Sequence, residues 1–216
     1  MNSVSNTQDG NSDSVFQAEV NVRVERSRAL TAARILLLDL AVDAVERLLS
    51  EGRQANLLFV CTHNSRRSQF ADFWCQFALD LFRVSNVKSS SCGTEVTECN
   101  PRTIASLRRS GVEIPRTEVV ANPHYTAVAG KSTIELYSKA FGIPGVPTEA
   151  VIAMMCCGDA DGKCPTIVGA VDRVALLYAD PKHSDESPTE AETYDARSRE
   201  IGAEMFYLAR KISELR

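Results

Sequence analysis

The chain has 216 residues, 44% of them hydrophobic, enough for one well-buried core with an appendage. A formal net charge of −4 weighs against a general nucleic-acid binder, and no apolar run approaches the length of a transmembrane helix. The first 13 residues are polar and acidic, unlike a signal peptide, so we expect a cytoplasmic protein without a nucleic-acid or membrane partner. Seven cysteines in a reducing compartment favour free thiols over a disulfide scaffold.

The N-terminal part of the chain has two compositions. Residues 1–13 are rich in Asn, Ser, Asp and Gly and are predicted to form a disordered tail. Residues 14–54 are predicted to form a helical extension, because they carry an apolar stripe at helical spacing. The stripe comprises Leu36, Leu37, Leu40, Val42, Ala44, Val45, Leu48 and Leu49. We expect this helix to pack on the domain or on a second copy of the chain, which would give a homodimer. Two other roles for the extension stay open, covering a cleft and anchoring a partner.

Strands and helices are predicted to alternate over residues 55–216, the catalytic domain of the chain. Short apolar runs typical of buried strands occupy residues 56–60, 151–155 and 173–178. Helices are predicted for residues 68–82, 103–110 and 188–215. This alternation favours an α/β fold with a largely parallel sheet. Residues 112–150 carry four prolines and mixed signals, which assign no element.

The segment from Cys61 to Ser68 reads Cys-Thr-His-Asn-Ser-Arg-Arg-Ser and joins a predicted strand to a predicted helix. Backbone N–H groups of such a loop converge at the helix N-terminus, which carries about half a positive charge. Arg67 adds a guanidinium fork that fits two oxygens of a tetrahedral oxyanion. Because this field favours a thiolate, Cys61 is the predicted nucleophile. The predicted oxyanion-binding residues are Thr62, His63, Asn64, Ser65, Arg66, Arg67 and Ser68, with Asn64 and Ser68 also holding the loop and the thiolate.

Asp180 follows the predicted strand 173–178 and precedes Pro181. Parallel strands deliver their functional loops to one edge of the sheet, so we expect Asp180 and Cys61 to share a cleft. A carboxyl group there can protonate a leaving oxygen and then activate water. Pro181 restricts Asp180 to an extended conformation. The alternative is a turn-forming Asp-Pro pair without chemistry.

Cys157 and Cys164 flank a segment rich in Gly and Asp after the strand at residues 151–155. Seven residues of helix span about 10.5 Å, whereas a disulfide needs Cα atoms within about 7 Å. Glycine and aspartate weaken a helix, so the segment is predicted to separate two thiols when reduced and to collapse when oxidised. Buried cysteines around a turn are the alternative. Zinc and calcium sites are disfavoured because suitable histidine and glutamate ligands are lacking.

The spacing Cys-x5-Arg-Ser between a strand and a helix resembles the low-molecular-weight protein tyrosine phosphatases and the thioredoxin-coupled arsenate reductases of the same fold. The likeness includes Cys61-Thr62, Asn64-Ser65, Arg67-Ser68-Gln69 and Ala71. His63 departs from the usual Gly, and Arg66 from a small residue. Covering most of residues 56–213, the resemblance implies a three-layer sandwich with a central, mostly parallel four-stranded sheet, plus the N-terminal helical extension. Asp180-Pro181 resembles the general-acid motif of the phosphatases.

The segment that begins at Cys157 and contains Cys164 resembles the redox segment of the reductases, with Gly158 replacing the usual Ser. The resemblance implies that Cys61 attacks arsenate, Cys157 attacks Cys61 to release arsenite, and Cys164 forms a disulfide with Cys157. A thioredoxin-like partner then acts as the external reductant, and no cofactor is required. The implied catalytic residues are Cys61, Arg67, Asp180, Cys157 and Cys164. The reductases also imply a structural potassium ion at Asn64, Asp72 and Ser91.

Three functions remain open at this point. The first is an arsenate reductase, which only the cysteine pair favours over the others. The second is a phosphatase acting on phosphotyrosine or a small aryl phosphate, in which the pair protects or regulates Cys61. Aromatic residues suited to flank such a substrate are Tyr125, Tyr137, Tyr178 and Tyr194. The third is a phosphate-binding regulator, for which Cys61 would be dispensable.

Overall fold

The computed structural model describes residues 9–118, 120–163 and 167–215. The helices are α1 (Asp9–Ser27), α2 (Ala32–Ser50), α3 (Arg67–Leu81), α4 (Pro101–Arg109), α5 (Gly158–Lys163) and α6 (Glu190–Ser213). The strands are β1 (Ala55–Val60), β2 (Val87–Cys92), β3 (Tyr125–Ala129), β4 (Ser132–Leu136), β5 (Val151–Met155) and β6 (Ala170–Ala175). A 3-10 turn spans Pro181–Ser184. No helix within these ranges is both long and apolar enough to cross a membrane.

One parallel sheet runs through the centre of the domain in the order β2-β1-β5-β6. All five residues of β5 are buried, as are five of the six residues of β1, so both faces of these central strands are covered. Helices supply that cover, which makes the domain a three-layer α/β sandwich. The predicted fold class is therefore confirmed. The carboxyl ends of β1, β5 and β6 deliver their loops to one edge of the sheet.

The edges of the sheet are where the structure differs from the sequence predictions. The edge strand β2 has the sequence Val-Lys-Ser-Ser-Ser-Cys, which has no apolar run to reveal it. The other edge strand, β6, lies three residues before its predicted position at 173–178. The unassigned residues 112–150 contain the antiparallel hairpin of β3 and β4. Edge strands bury only part of their surface, so their hydrophobic pattern is weak.

The first helix begins earlier than the sequence predicts. Residues 9–13, the end of the predicted disordered tail, form the first turns of α1, while residues 1–8 lie outside the described residues. Ser12 Oγ donates a hydrogen bond of 3.1 Å to the Gly111 carbonyl, and the Phe16 ring packs against Trp74 and Phe77. These contacts with the rest of the domain stabilise a segment whose composition alone indicates disorder.

The extension packs on its own domain, chiefly against α6. Arg23 of α1 is fully buried, with its guanidinium carbon 3.7 Å from the centroid of the Trp74 ring. Its Nη1 donates to Glu19 at 2.6 Å and its Nη2 to Ser198 of α6 at 3.2 Å. A Cβ at Gly202 would lie 2.6 Å from Arg23 Nε, so α1 and α6 approach closely only because that position is glycine.

The second helix buries part of the predicted apolar stripe, namely Val42, Ala44, Val45 and Leu48, and adds Leu38 and Ala41 to it. Leu36 and Leu40 of the predicted stripe are 66% and 48% exposed. The predicted helical stretch also divides at residues 28–31, where Thr31 Oγ1 caps the start of α2 by accepting from Arg34 N–H.

Candidate active site

The loop between β1 and α3 holds Cys61 beside two polar side chains. Cys61 is buried, and its Sγ lies 2.9 Å from Oγ of Ser68. Ser68 Oγ in turn accepts a hydrogen bond of 2.9 Å from Nδ2 of Asn64. Because Asn64 is the donor to this hydroxyl, the hydroxyl proton is available to the sulfur. The predicted contact of Ser68 with the thiol is therefore present, whereas Asn64 acts on the thiol only through Ser68.

Asn64 gives the loop its shape in the absence of a loop glycine. Its φ of 46° lies in the left-handed region, which asparagine tolerates better than most residues. Its Oδ1 accepts the Lys139 backbone N–H at 2.7 Å and Gln69 Nε2 at 3.1 Å. Gln69 Nε2 also lies 2.9 Å from the Asn64 carbonyl. These bonds hold the backbone amides of the loop in one arrangement.

Gly93, at the end of β2, lies directly against the back of this loop. A Cβ at that position would lie 2.6 Å from the Thr62 carbonyl oxygen and 2.8 Å from the Asn64 nitrogen. Only glycine allows such an approach without displacing the loop. Sequence reasoning missed this residue because β2 itself was not recognised. A glycine directly after a strand was the signal available.

Arg67 and Asp180 meet at the carboxyl edge of the sheet. Arg67 Nη2 donates a 2.6 Å hydrogen bond to Asp180 Oδ2, and Nη1 donates to the Tyr178 carbonyl at 3.1 Å. Arg67 Nε is buried and has no hydrogen-bond partner among the described residues. Asp180 is extended, at φ −74° and ψ 125°, as the following Pro181 predicts. The unpartnered Nε is the group left to bind an oxyanion.

Two other loop side chains have partners outside the loop. Arg66 Nε donates to the Tyr194 hydroxyl at 2.8 Å, and its Nη2 lies 3.6 Å from Asp185. The exposed His63 pairs with Glu95 at 2.9 Å. An oxyanion-binding role for His63 and Arg66 therefore rests on their backbone N–H groups, because their side chains are engaged elsewhere.

Cys157 follows β5 and lies beside the nucleophile loop. Val60 pairs with Met155, so Cys61 and Cys156 leave neighbouring strands side by side, and Cys156 N–H donates to the Val60 carbonyl at 2.7 Å. One residue further, Cys157 Sγ lies 3.6 Å from Thr62 Oγ1. Cys157 is buried and precedes α5, a short helix that forms despite its Gly and Asp content. Cys164 lies outside the described residues.

Several further cysteines are inert by burial. Cys75, Cys99 and Cys156 are fully buried, and burial raises the pKa of each thiol well above its ordinary value of 9.0. A protonated thiol in an apolar site is a poor nucleophile. This burial favours packing roles for Cys75, Cys99 and Cys156.

Two of the three predicted potassium ligands, Asn64 and Asp72, are engaged in hydrogen bonds within the protein, whereas Ser91 Oγ has no hydrogen-bond partner among the described residues. Asn64, Asp72 and Ser91 are all buried. Asn64 Oδ1 already accepts two hydrogen bonds, from Lys139 and Gln69, which occupy both of its lone pairs. Asp72 Oδ1 likewise accepts two side-chain hydrogen bonds. Within the described residues no group of three His, Cys, Asp or Glu side chains is placed to hold a metal ion. We therefore assign no step to a metal.

Curated relatives and solved structures agree with this geometry. No family model matches the sequence. The chain is 28% identical over 148 residues to an arsenate reductase of Bacillus licheniformis, a match covering 68% of the chain and 88% of the relative. It is 26% identical to an arsenate reductase of Bacillus subtilis over the same shares. Its fold is similar to that of a low-molecular-weight phosphotyrosine phosphatase of Vibrio cholerae, with a TM-score of 0.51 and 14% identity. That match covers 72% of the chain and 95% of the phosphatase structure.

The geometry of the site indicates one chemistry. A cysteine at the mouth of an amide-lined loop, with an arginine six residues later, attacks the central atom of a tetrahedral oxyanion. The chain is thus an enzyme of cysteine-dependent oxyanion chemistry. Its loop, its fold and its relatives agree with the resemblance to the low-molecular-weight protein tyrosine phosphatase superfamily, and in sequence the chain is similar to arsenate reductases.

Proposed function

We propose that the chain is an arsenate reductase that uses Cys61 as its nucleophile and Cys157 and Cys164 as its redox pair. The observation that supports this most is the position of Cys157, whose Sγ lies 3.6 Å from Oγ1 of Thr62, the residue after the nucleophile. A second thiol beside the loop of Cys61 can attack that cysteine in reduction, whereas the hydrolytic step itself does not use one. The names of the curated relatives support the same choice.

In the first step the Cys61 thiolate forms a bond to arsenic. The loop amides and Arg67 Nε hold the arsenate oxygens, and the Ser68 hydroxyl stabilises the thiolate before attack. One arsenic–oxygen bond breaks, and the departing hydroxide takes a proton from Asp180 and leaves as water. The product is an arsenic(V) adduct on Cys61.

In the second step the electrons pass from sulfur to arsenic. The Cys157 thiolate attacks Sγ of Cys61, a disulfide forms, and the electron pair of the sulfur–arsenic bond stays on arsenic, which leaves as arsenite. Cys164 then attacks Sγ of Cys157 and returns Cys61 as a thiolate. The two electrons come from Cys157 and Cys164, and a thioredoxin-like dithiol reduces the resulting disulfide. That dithiol is the proposed partner.

The test is multiple-turnover reduction of arsenate with thioredoxin, thioredoxin reductase and NADPH. We expect the wild type to consume one NADPH per arsenite formed. Cys61→Ser should abolish both this reaction and the hydrolysis of aryl phosphates, because both need the same nucleophile. Cys164→Ser should spare hydrolysis and stop turnover with thioredoxin. Cys75→Ala, which removes a buried thiol of α3, is the matched control and should keep both activities.

A phosphatase is the second candidate, and the Arg67–Asp180 pair favours it. That pair supplies an oxyanion clamp and a general acid at 2.6 Å from each other without any use of Cys157. Cys61 would attack phosphorus, the ester oxygen would leave with the Asp180 proton, and water would hydrolyse the phosphocysteine. Tyr178 and Tyr194 are buried and do not flank a substrate ring, which leaves Tyr125 and Tyr137. Hydrolysis of p-nitrophenyl phosphate without any arsenate-dependent NADPH oxidation would establish this function instead.

A further inference from the structure

We propose that Arg34 of the N-terminal extension is a positioning residue for the general acid, acting on Asp180 and Arg67 through Glu204 and Tyr178. The inference rests on the proposed roles of Cys61 and Asp180. It assigns the extension, which lies outside the resemblance to the phosphatases and reductases, a task in the catalytic step.

The chain of contacts begins at a buried carboxylate. Glu204 of α6 is 2% exposed, so its charge requires a partner. Arg34 of α2 supplies one with two parallel hydrogen bonds, Nε to Oε1 at 2.7 Å and Nη2 to Oε2 at 2.6 Å. Tyr178 supplies the other, donating its hydroxyl to Oε2 at 2.6 Å. Glu204 is thereby fixed between the extension and the loop after β6.

Tyr178 passes this constraint to the active site. Its ring lies under the Arg34 guanidinium, with the guanidinium carbon 5.0 Å from the ring centroid. Its backbone N–H donates to the Cys156 carbonyl at 3.1 Å, and its carbonyl accepts from Arg67 Nη1 at 3.1 Å. Asp180 lies two residues further along the chain. A shift of Tyr178 therefore moves two things together: the carbonyl that accepts a hydrogen bond from Arg67, and the chain that leads to Asp180.

Burial keeps the hydrogen bond between Tyr178 and Glu204 in one direction, with the tyrosine hydroxyl as the donor. Tyr178 is buried, and burial, reinforced by the nearby Glu204 carboxylate, raises the pKa of its hydroxyl well above the ordinary value, so the hydroxyl remains a donor to Glu204. Without Arg34, the buried Glu204 carboxylate would lose its positive partner and keep only the neutral Tyr178 hydroxyl as a hydrogen-bond donor. It would then take up a proton or turn toward solvent, and either change removes the fixed acceptor that holds Tyr178.

The test compares two substrates that differ in their need for a general acid. Phenyl phosphate has a poor leaving group and needs the Asp180 proton, whereas p-nitrophenyl phosphate depends on it less. We expect Arg34→Met to lower kcat/KM for phenyl phosphate about tenfold or more, because a displacement of about 1 Å costs up to about a hundredfold. The loss with p-nitrophenyl phosphate should stay below about twofold.

Three further variants serve as an independent test, a reference and a control. Tyr178→Phe keeps the Arg34–Glu204 pair and removes one hydroxyl, so it tests the link even if Arg34→Met fails to fold. Asp180→Asn shows how much more kcat/KM falls for phenyl phosphate than for p-nitrophenyl phosphate when the general acid is absent. In the double variant with Arg34→Met, this difference between the two substrates should be no larger than in Asp180→Asn alone. Arg47→Met is the matched control, since Arg47 lies on the same helix and forms an exposed ion pair with Asp172. It should leave both rates unchanged.

Each outcome has one meaning. Equal losses on both substrates in Arg34→Met and Tyr178→Phe, or no loss in either, would overturn the inference while Asp180→Asn keeps its selective effect. Equal losses on both substrates in Asp180→Asn would overturn the general-acid role and the inference with it. An active Cys61→Ser would overturn the proposed function itself. Selective loss in Arg34→Met and Tyr178→Phe, absent from Arg47→Met, supports the inference.

Discussion

Arg67 Nη2 donates a 2.6 Å hydrogen bond to Oδ2 of Asp180, and this bond joins two loops that are 113 residues apart in the chain. One loop follows β1 and carries the nucleophile, and the other follows β6. The parallel sheet brings them to one edge because both strands end there. In the proposed mechanism this contact links the side chain that binds the oxyanion to the side chain that delivers the proton.

Arg67→Lys should lower kcat/KM for p-nitrophenyl phosphate by about 10²–10³-fold, because a lysine keeps the charge but cannot reach Asp180, the Tyr178 carbonyl and the oxyanion together. Arg66→Lys is the matched control on the neighbouring arginine, whose Nε is engaged by the Tyr194 hydroxyl. Its loss should be less than about tenfold. Steady-state kinetics of the two variants measure this difference. Equal losses in both would contradict the assigned roles.

The nucleophile loop is readable from the sequence because its determinants are local. Eight consecutive residues carry the thiol, the guanidinium and the side chains that shape the loop. Asp180 required only one further step, since strand topology decides where a loop after a parallel strand emerges. Cys157 followed from the same reasoning. For these residues, local chemistry and fold class together were sufficient.

Contacts between distant segments were not readable. Arg34 and Glu204 are 170 residues apart, and no periodicity links them. Gly93 was hidden because β2 is a serine-rich edge strand without an apolar run. The composition of residues 9–13 indicates disorder, yet the packing of Phe16 and Arg23 on the domain keeps them helical. In each case packing between distant segments decides the conformation, and local propensity predicts such packing poorly.

Gly93→Ala should weaken the loop while leaving the fold intact. Its Cβ would lie 2.6 Å from the Thr62 carbonyl oxygen and 2.8 Å from the Asn64 nitrogen, so the amides that bind the oxyanion must move. We expect KM for p-nitrophenyl phosphate to rise and kcat to fall, together by about a hundredfold in kcat/KM. Gly162→Ala is a suitable control, since nothing lies within 4 Å of its added Cβ. Kinetics indistinguishable from wild type in Gly93→Ala would contradict the close approach.

Glu19→Gln should destabilise the protein in a pH-dependent way. Burial raises the pKa of Glu19, but the hydrogen bonds from Arg199 and Arg23 outweigh it, so the pKa lies below the ordinary value of 4.5. A carboxyl with a depressed pKa in the folded state stabilises above its unfolded pKa, and this stability is lost as the pH falls through the folded pKa. Near neutrality the variant should lose about 3 kcal/mol, because Arg23 stays buried without its partner. Below pH 4.5 the difference from wild type should shrink.

Urea unfolding of wild type and variant across this pH range measures the effect. Glu25→Gln is the control on the same helix, because Glu25 and its partner Arg28 are 70% and 66% exposed. An exposed pair contributes about 0–1 kcal/mol, so this variant should follow wild type at every pH. A Glu19→Gln loss that does not change with pH would contradict the assigned role of the carboxylate.

The proposed reductase chemistry rests on electrons leaving Cys157 and Cys164, and a single turnover without any thioredoxin measures them directly. Reduced protein is mixed with excess arsenate, quenched in acid, alkylated, and analysed for arsenite and for disulfide-linked peptides. We expect one arsenite per chain together with a Cys157–Cys164 disulfide and an alkylatable Cys61. In Cys164→Ser we expect one arsenite with a disulfide between Cys61 and Cys157. Wild-type protein that releases no arsenite and keeps Cys157 and Cys164 reduced would contradict the proposed chemistry.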